Sequence, residues 1–248
     1  MTQAHEVHEV FTPMSPSEHA YIARRDEARL AGALAVPGRQ VLIHGQTGAG
    51  KTTMTVRTLG RLGMRSVFTG CRRKGELIDA AAAAEALHGP PATPPSAGGV
   101  AEIVAWLAGN GLVWVLEDVH KLPVPAQHQV VEVMQGLGGA RVVALGTAPG
   151  IAGDEVLGAA LERIPLQPMD SGELDRMLAA GADKLNVDIP AWMRREIIEH
   201  ANAHPAICHQ FALTLCLEAG VHRRVPQRLT IPDDAFARAH ARTPQTLI

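Results

Sequence analysis

Lysine, aromatic residues and cysteine are all scarce in this chain of 248 residues. Four of its 23 basic residues are lysine, at positions 51, 74, 121 and 184, and the rest are arginine, so a lysine inside a glycine loop stands out. The three cysteines, Cys71, Cys208 and Cys216, are odd in number and form no CxxC pair, which argues against a disulfide framework or a cysteine zinc site. Reduced, packed thiols are expected instead. An excess of one charge is also missing. Lys plus Arg 23 against Asp plus Glu 25 gives −2, without the global positive field that drives non-specific nucleic-acid binding. Long hydrophobic runs are absent too, stretches such as 112–116 falling far short of the roughly 20 residues that span a bilayer. No membrane partner is expected. The opening MTQAHEVHEV carries acids and no apolar core, so it does not read as a secretory signal, and a cytoplasmic location is the expectation. With 46% hydrophobic and 19% charged residues and a mean hydropathy of +0.04, the chain reads as one large domain, or one domain with a small satellite.

Residues 1–20 contain Pro13 and Pro16 without sustained periodicity and read as an extended arm leading into a helix near 21–34. After Pro37-Gly38, the run from Gln40 to His44 is a buried strand, followed by a glycine loop at 45–50 and a helix carrying Val56, Leu59 and Leu62. Further strands are expected at 66–69, 112–116, 141–145 and 163–166. Helices are expected at 76–87, 100–108 and 126–137, with a loop over 88–99. Strands alternating with helices predict an α/β fold, a parallel sheet with helices on both faces. Beyond residue 170 the strand signal disappears. Asp170 and Glu173 form a capping-box pattern ahead of Leu174, Met177 and Leu178, a second helix begins near Pro190, and a third runs from Pro205 to Gly220. The expected organisation is an arm and helix (1–38), a core (39–168), a small three-helix lid (169–220) and a tail (221–248) with no further module.

Gly45-Gln46-Thr47-Gly48-Ala49-Gly50-Lys51-Thr52 fits G-x-x-x-x-G-K-[ST] without mismatch and sits between a strand and a helix, the context that gives the motif its meaning. Glycines let successive backbone N–H groups turn inward around phosphate oxygens, while the following helix presents its positive end to the same anion. Lys51 is expected to reach the β- and γ-phosphates, Thr52 to place its hydroxyl on Mg²⁺, and Thr53 to complete the nucleotide-binding set. This makes the core a P-loop NTPase fold, with ATP and Mg²⁺ as its ligands.

The strand Leu112-Val-Trp-Val-Leu116 runs into Glu117-Asp118, two adjacent carboxylates suited to holding hydrated Mg²⁺ and orienting an attacking water. By position Glu117 takes the metal side and Asp118 the water. The side-chain lengths are exchanged relative to the commoner Asp-Glu order, so the two roles stand open to exchange. Arg141–Gly146 leads to Thr147, which becomes a γ-phosphate sensor if its strand lies between the loop strand and the acidic strand.

In these motifs the chain resembles the additional-strand P-loop ATPases of the AAA+ and STAND classes, near their origin-recognition-like and transposition-helper-like branches. The resemblance spans roughly residues 10–240 through Phe11-Thr-Pro13, the box from Ile22 to Glu27, GQTGAGKT, LEDVHKL, the GTA at 146–148, Arg163 and the helical lid. It implies that the arm and the Arg24/Arg25 region border the adenine. It also makes Arg163 a candidate arginine finger acting across a subunit interface, with pairing to a local acid as the alternative, and lets His120 link the acidic pair to a neighbouring loop. The lid departs from the pattern: Ala203-His204-Pro205 keeps the proline of a Gly-x-Pro sequence but has neither its glycine nor a sensor arginine.

Weaker features take bland readings. His200, His204 and Cys208 are four residues apart, but Pro205 turns His204 away from helical geometry, which disfavours a metal. Arg72-Arg73-Lys74 and His222-Arg223-Arg224 lack interleaved aromatics and read as solvated surface. The expected function is an Mg-dependent ATPase, turning over slowly if Asp118 is a poor base. It would act as a regulatory or assembly switch on a partner carried by a separate chain, with a nucleotide-dependent homo-oligomer as one form of assembly. The alternative is a DNA-associated helper or loader ATPase. A small-molecule phosphotransferase fits less well, because two adjacent acids suggest water as acceptor, and a GTPase less still, since no Asn-Lys-x-Asp sequence occurs.

Overall fold

Short apolar runs bounded by turn residues assemble into one six-stranded sheet in the computed structural model, which describes residues 5–16, 18–71, 85–88, 100–136 and 141–244. Strands β1 (Gln40–His44), β2 (Ser66–Gly70), β4 (Val113–Glu117), β5 (Arg141–Gly146) and β6 (Leu161–Pro165) are parallel, and β3 (Glu85–His88) lies antiparallel against β2. Their order is β3-β2-β4-β5-β1-β6. The chain divides into two units: a sheet unit of Arg24–Gly45 and Met54–Leu166, and a helical unit of Met1–Ala23, Gln46–Thr53 and Gln167–Ile248.

In the sheet unit, both faces of the central strands are buried, which is why these strands read as continuous apolar runs rather than as alternating ones. Leu42, Trp114, Leu116, Val142 and Ala144 share one core with Leu107 of α4 (Val100–Asn110) and Val130, Val133 and Met134 of α5 (Val124–Gly136). The alternate residues Val41, Ile43, Val113, Val115, Val143 and Leu145 are equally buried on the other face, where α2 (Asp26–Ala35) packs on β1 and β6. Two buried polar groups are satisfied within the sheet. Trp114 Nε1 donates to Thr69 Oγ1 at 3.1 Å, and Gln40 Oε1 accepts the Val142 N–H at 2.7 Å. Two expectations are corrected here. Glu85, Ala86 and Leu87, expected to end a helix over 76–87, and His88, expected to open a loop over 88–99, form β3 instead, because pairing with β2 outweighs the local helix preference. The rest of those two expectations, 76–84 and 89–99, and the run Arg72-Arg73-Lys74 lie outside the described residues.

The helical unit is built on α6 (Ser171–Leu185), α7 (Ala191–Ala201) and α8 (Pro205–Glu218). Asp170 and Glu173 cap α6 reciprocally: the Glu173 N–H donates to Asp170 Oδ1 at 2.7 Å and the Asp170 N–H to Glu173 Oε2 at 2.9 Å. Two further segments join this core. The N-terminal segment is docked rather than extended: Val7 and Val10 of α1 (Val7–Val10) and the following Phe11 are buried in the core, and the Arg224 N–H donates to the His5 carbonyl at 2.8 Å. Polar spacing had concealed three apolar anchors, Val7, Val10 and Phe11. From the tail, β8 (Leu229–Thr230) pairs with β7 (Val187–Asp188), and α9 (Asp233–Arg242) packs on α8 through Ala235, Phe236 and Ala239. The tail thus joins the helical unit instead of forming a module of its own. Among the described residues no helix is long and apolar enough to cross a membrane.

Candidate functional site

Parallel neighbours end on the same edge of a sheet, so the order β4-β5-β1 sets the exits of these three strands side by side. Gly45 leaves β1, Thr147 follows β5, and Glu117 ends β4. The condition set for Thr147 is therefore met, since β5 lies between the loop strand and the acidic strand. Gly45 donates to the Gly146 carbonyl at 3.2 Å, and a Cβ on Gly45 would stand 2.7 Å from the Leu166 carbonyl oxygen, so no larger residue fits there.

After Gly45 the chain makes the loop 46–50 and enters α3 (Lys51–Arg61). Gly48 at φ 78° and Gly50 at φ 91° lie in the left-handed region that other residues rarely adopt. The Lys51 ammonium donates to the Gln46 carbonyl at 2.8 Å, which holds it over its own loop, and the Ala49 N–H donates to the same oxygen at 3.2 Å. Gln46 and Thr47 are exposed, Ala49 is buried, and Thr52 and Thr53 are partly buried in the first turn of α3. A second element of the helical unit meets this loop: the Ala206 N–H in the first turn of α8 lies 3.4 Å from the Gly48 carbonyl. The sequence carried a signal for it in Ala203-His204-Pro205, where Ala203 adopts φ 66°, the conformation that a glycine supplies without strain. Pro205 opens α8 and His204 stands outside it as an extended N-cap, so His200, His204 and Cys208 do not share a helical face.

At the end of β4, Glu117 is in register with Leu145 and its carbonyl accepts the Cys71 N–H at 2.8 Å. Asp118 follows at φ 60°, ψ 35° and starts a single 3-10 turn, Val119–Lys121. Lys121 Nζ lies 3.1 Å from Asp118 Oδ2, an i,i+3 ion pair with no counterpart among the sequence expectations, while His120 Nδ1 accepts the Thr147 N–H at 3.4 Å, a long contact that ties the turn after β4 to the end of β5, a link of the kind the resemblance implied for His120. The oxygen donors Thr52 and Glu117 are of the kind that Mg²⁺ takes, and no group of three or more His, Cys, Asp or Glu among the described residues forms a competing metal cluster.

Arg163 lies within β6, in register with Leu42, and its Nη2 is 2.8 Å from Asp154 Oδ1. Asp154 in turn accepts the Ile151 N–H at 3.0 Å. The local-acid alternative for Arg163 is thus realised in this chain, through Asp154, while Glu162 is taken by Arg29 and Arg39. Arg24 is buried, its N–H donating to Glu27 Oε1 at 2.8 Å, and Arg25 is exposed.

The strand order, the glycine loop after β1 and the acidic end of β4 define a P-loop NTPase fold, and solved structures share it. A Walker-type ATPase of Pyrococcus abyssi is 16% identical, with a TM-score of 0.66 over 94% of this chain and 75% of its own. The Thermotoga maritima RuvB Holliday junction branch migration motor is 14% identical, with a TM-score of 0.63 over 92% of this chain and 72% of its own. No family model matches the chain, and no curated protein matches it by sequence.

Proposed function

We propose that the chain binds and hydrolyses ATP with Mg²⁺ and works as a nucleotide-controlled switch on a protein partner carried by another chain. The observation that carries this reading is the position of β5, which brings Thr147 between the exit of the glycine loop and the Glu117-Asp118 pair. Gly45, Gln46, Thr47, Gly48, Ala49 and Gly50 would wrap the phosphates with backbone N–H groups, and Thr53 would extend that set along α3. Lys51 would exchange the Gln46 carbonyl for β- and γ-phosphate oxygens. Thr52 and Glu117 would hold Mg²⁺, the latter through water, and the ion supplies charge neutralisation on the phosphates. Asp118 would take the proton of the attacking water once Lys121 releases its carboxylate, with Glu117 as the alternative base. Thr147 would report the γ-phosphate, passing its presence to the acidic turn through His120. Arg163 would have to leave Asp154 to act as a finger on a neighbouring subunit.

Replacing Lys51 by Ala should abolish Mg-ATP binding, measured with a fluorescent ATP analogue. Asp118→Asn should keep binding and lose about 10²–10⁴-fold in turnover, as expected for removal of a general base. ATP turnover retained in the Lys51→Ala protein would overturn the reading.

A second reading is a DNA-associated ATPase, favoured by the structural likeness to a Holliday junction branch migration motor. Turnover stimulated by duplex DNA and lost with added salt would support it over the switch. Turnover indifferent to DNA would remove it.

A further inference from the structure

At the opposite end of the sheet from Gly45, Glu117 and Thr147, where β2, β4 and β5 begin, lies a cavity of about 530 Å³. Its apolar wall is formed by Met64, Val104, Leu112 and Val113, and two arginines, Arg65 and Arg141, are among its lining residues as well. Register fixes their placement. Val113 stands beside Ser66 on β2 and beside Arg141 on β5, and the Val113 N–H donates to the Arg65 carbonyl at 2.9 Å. The two arginines therefore flank β4, about 10 Å apart at the backbone, or two strand spacings.

Among the described residues neither guanidinium is fully paired. Arg65 spends Nη1 on the Asn110 carbonyl at 2.9 Å, but its Nε is buried without a hydrogen-bond partner, and so is the Nε of Arg141. Among the described residues no carboxylate pairs with either arginine. Buried N–H groups of a permanent cation are costly to leave unpaired, and a guanidinium edge is shaped to take a carboxylate through two parallel hydrogen bonds. Here two arginines stand on either side of an aliphatic wall.

We propose that this cavity binds a small aliphatic dicarboxylate, one carboxylate on Arg65, the other on Arg141, and the methylene chain against Met64, Val104, Leu112 and Val113. A compact anion such as phosphate fits less well, because it needs donors converging on one point rather than standing on both sides of an apolar wall. The site lies wholly within the sheet unit and is separate from the proposed nucleotide residues.

The test uses the full chain without nucleotide. Glutarate, adipate, butyrate and inorganic phosphate are titrated at constant ionic strength, with binding followed by calorimetry and thermal unfolding. A dicarboxylate should bind saturably and raise the melting temperature, with butyrate and phosphate weaker by about tenfold or more, as loss of one bidentate carboxylate pair predicts. Arg141→Gln, which breaks no hydrogen bond among the described residues, should weaken the dicarboxylate by a similar factor. If that variant does not fold, Arg141→Lys keeps the charge, loses the fork, and should still bind measurably more weakly. No saturable binding, equal binding of phosphate, or unchanged affinity in the folded Arg141 variant would each overturn the proposal. Because nucleotide is absent, failure here leaves the ATPase reading untouched.

Discussion

Burial sets the chemistry of several single side chains in the helical unit. His209 is buried on α8, its Nδ1 accepting the Thr12 N–H at 3.2 Å and its ring edge-on to Phe11, and loss of hydration pushes its pKa down from 6.5 to about 4. The unfolded chain then binds a proton that the folded chain refuses. Stability from neutral His209 is complete above pH 6.5 and is lost as pH falls toward 4. Between pH 8 and pH 5 the loss from this group should be roughly 2 kcal/mol. Urea unfolding at the two pH values checks this. His209→Asn keeps an acceptor for Thr12 and should flatten the difference by that amount. Burial has the opposite consequence for thiols: it raises Cys216 to about 12 and raises Cys208 further, leaving both protonated and unreactive. Ala203, at φ 66°, holds a backbone shape that a side chain resists. Ala203→Gly should therefore stabilise the protein by about 0.5–1 kcal/mol, the residual strain after the added freedom of the unfolded glycine is offset. Chemical denaturation measures it, and a destabilised variant would mean that the Ala203 methyl packs more than it strains.

Among the elements, α1 and the residue after it show what close packing demands. Phe11 is fully buried over α6, where a Cβ on Gly181 would overlap its ring. Phe11→Ala should cost about 3–5 kcal/mol and expose residues 5–16 to proteolysis, while the sheet unit stays resistant. Limited proteolysis with mass spectrometry reads both effects. This is also where the sequence was least legible. Five of the strands and the helices around them follow from apolar runs and 3.6-residue spacing, and the capping box announced α6 because its two partners are local. Anchors at Val7, Val10 and Phe11 have no neighbouring partner in sequence, since what they bury against lies beyond residue 167. The antiparallel β3 was missed for the same reason. At the site, the glycine loop, acidic pair and Thr147 were legible as motifs tied to strand ends. The Lys121–Asp118 pair and the approach of Ala206 to Gly48 depend on turns whose handedness the sequence does not state.

For the whole molecule, assembly is tested by mass. The Asp118→Asn protein, which should trap the ATP-bound form, can be weighed by light scattering with and without Mg-ATP. A nucleotide-dependent increase to a multiple of 26.3 kDa is the outcome expected of an assembling ATPase, and it would release Arg163 from Asp154 toward a neighbouring subunit. An unchanged monomer would leave Arg163 in its internal pair and direct attention to a partner of different sequence.

Apart from Gln46–Thr53, the helical unit is drawn from the two ends of the sequence: residues 5–23 precede the strands and residues from 167 onward follow them. During synthesis, which proceeds from the N-terminus, the sheet unit can complete first. Throughout that interval Val7, Val10 and Phe11 are outside the ribosome with no core to enter, an apolar segment on offer to chaperones or to other nascent chains. The protein's period of greatest vulnerability to aggregation should therefore end when α8 is made, well after its glycine loop has emerged.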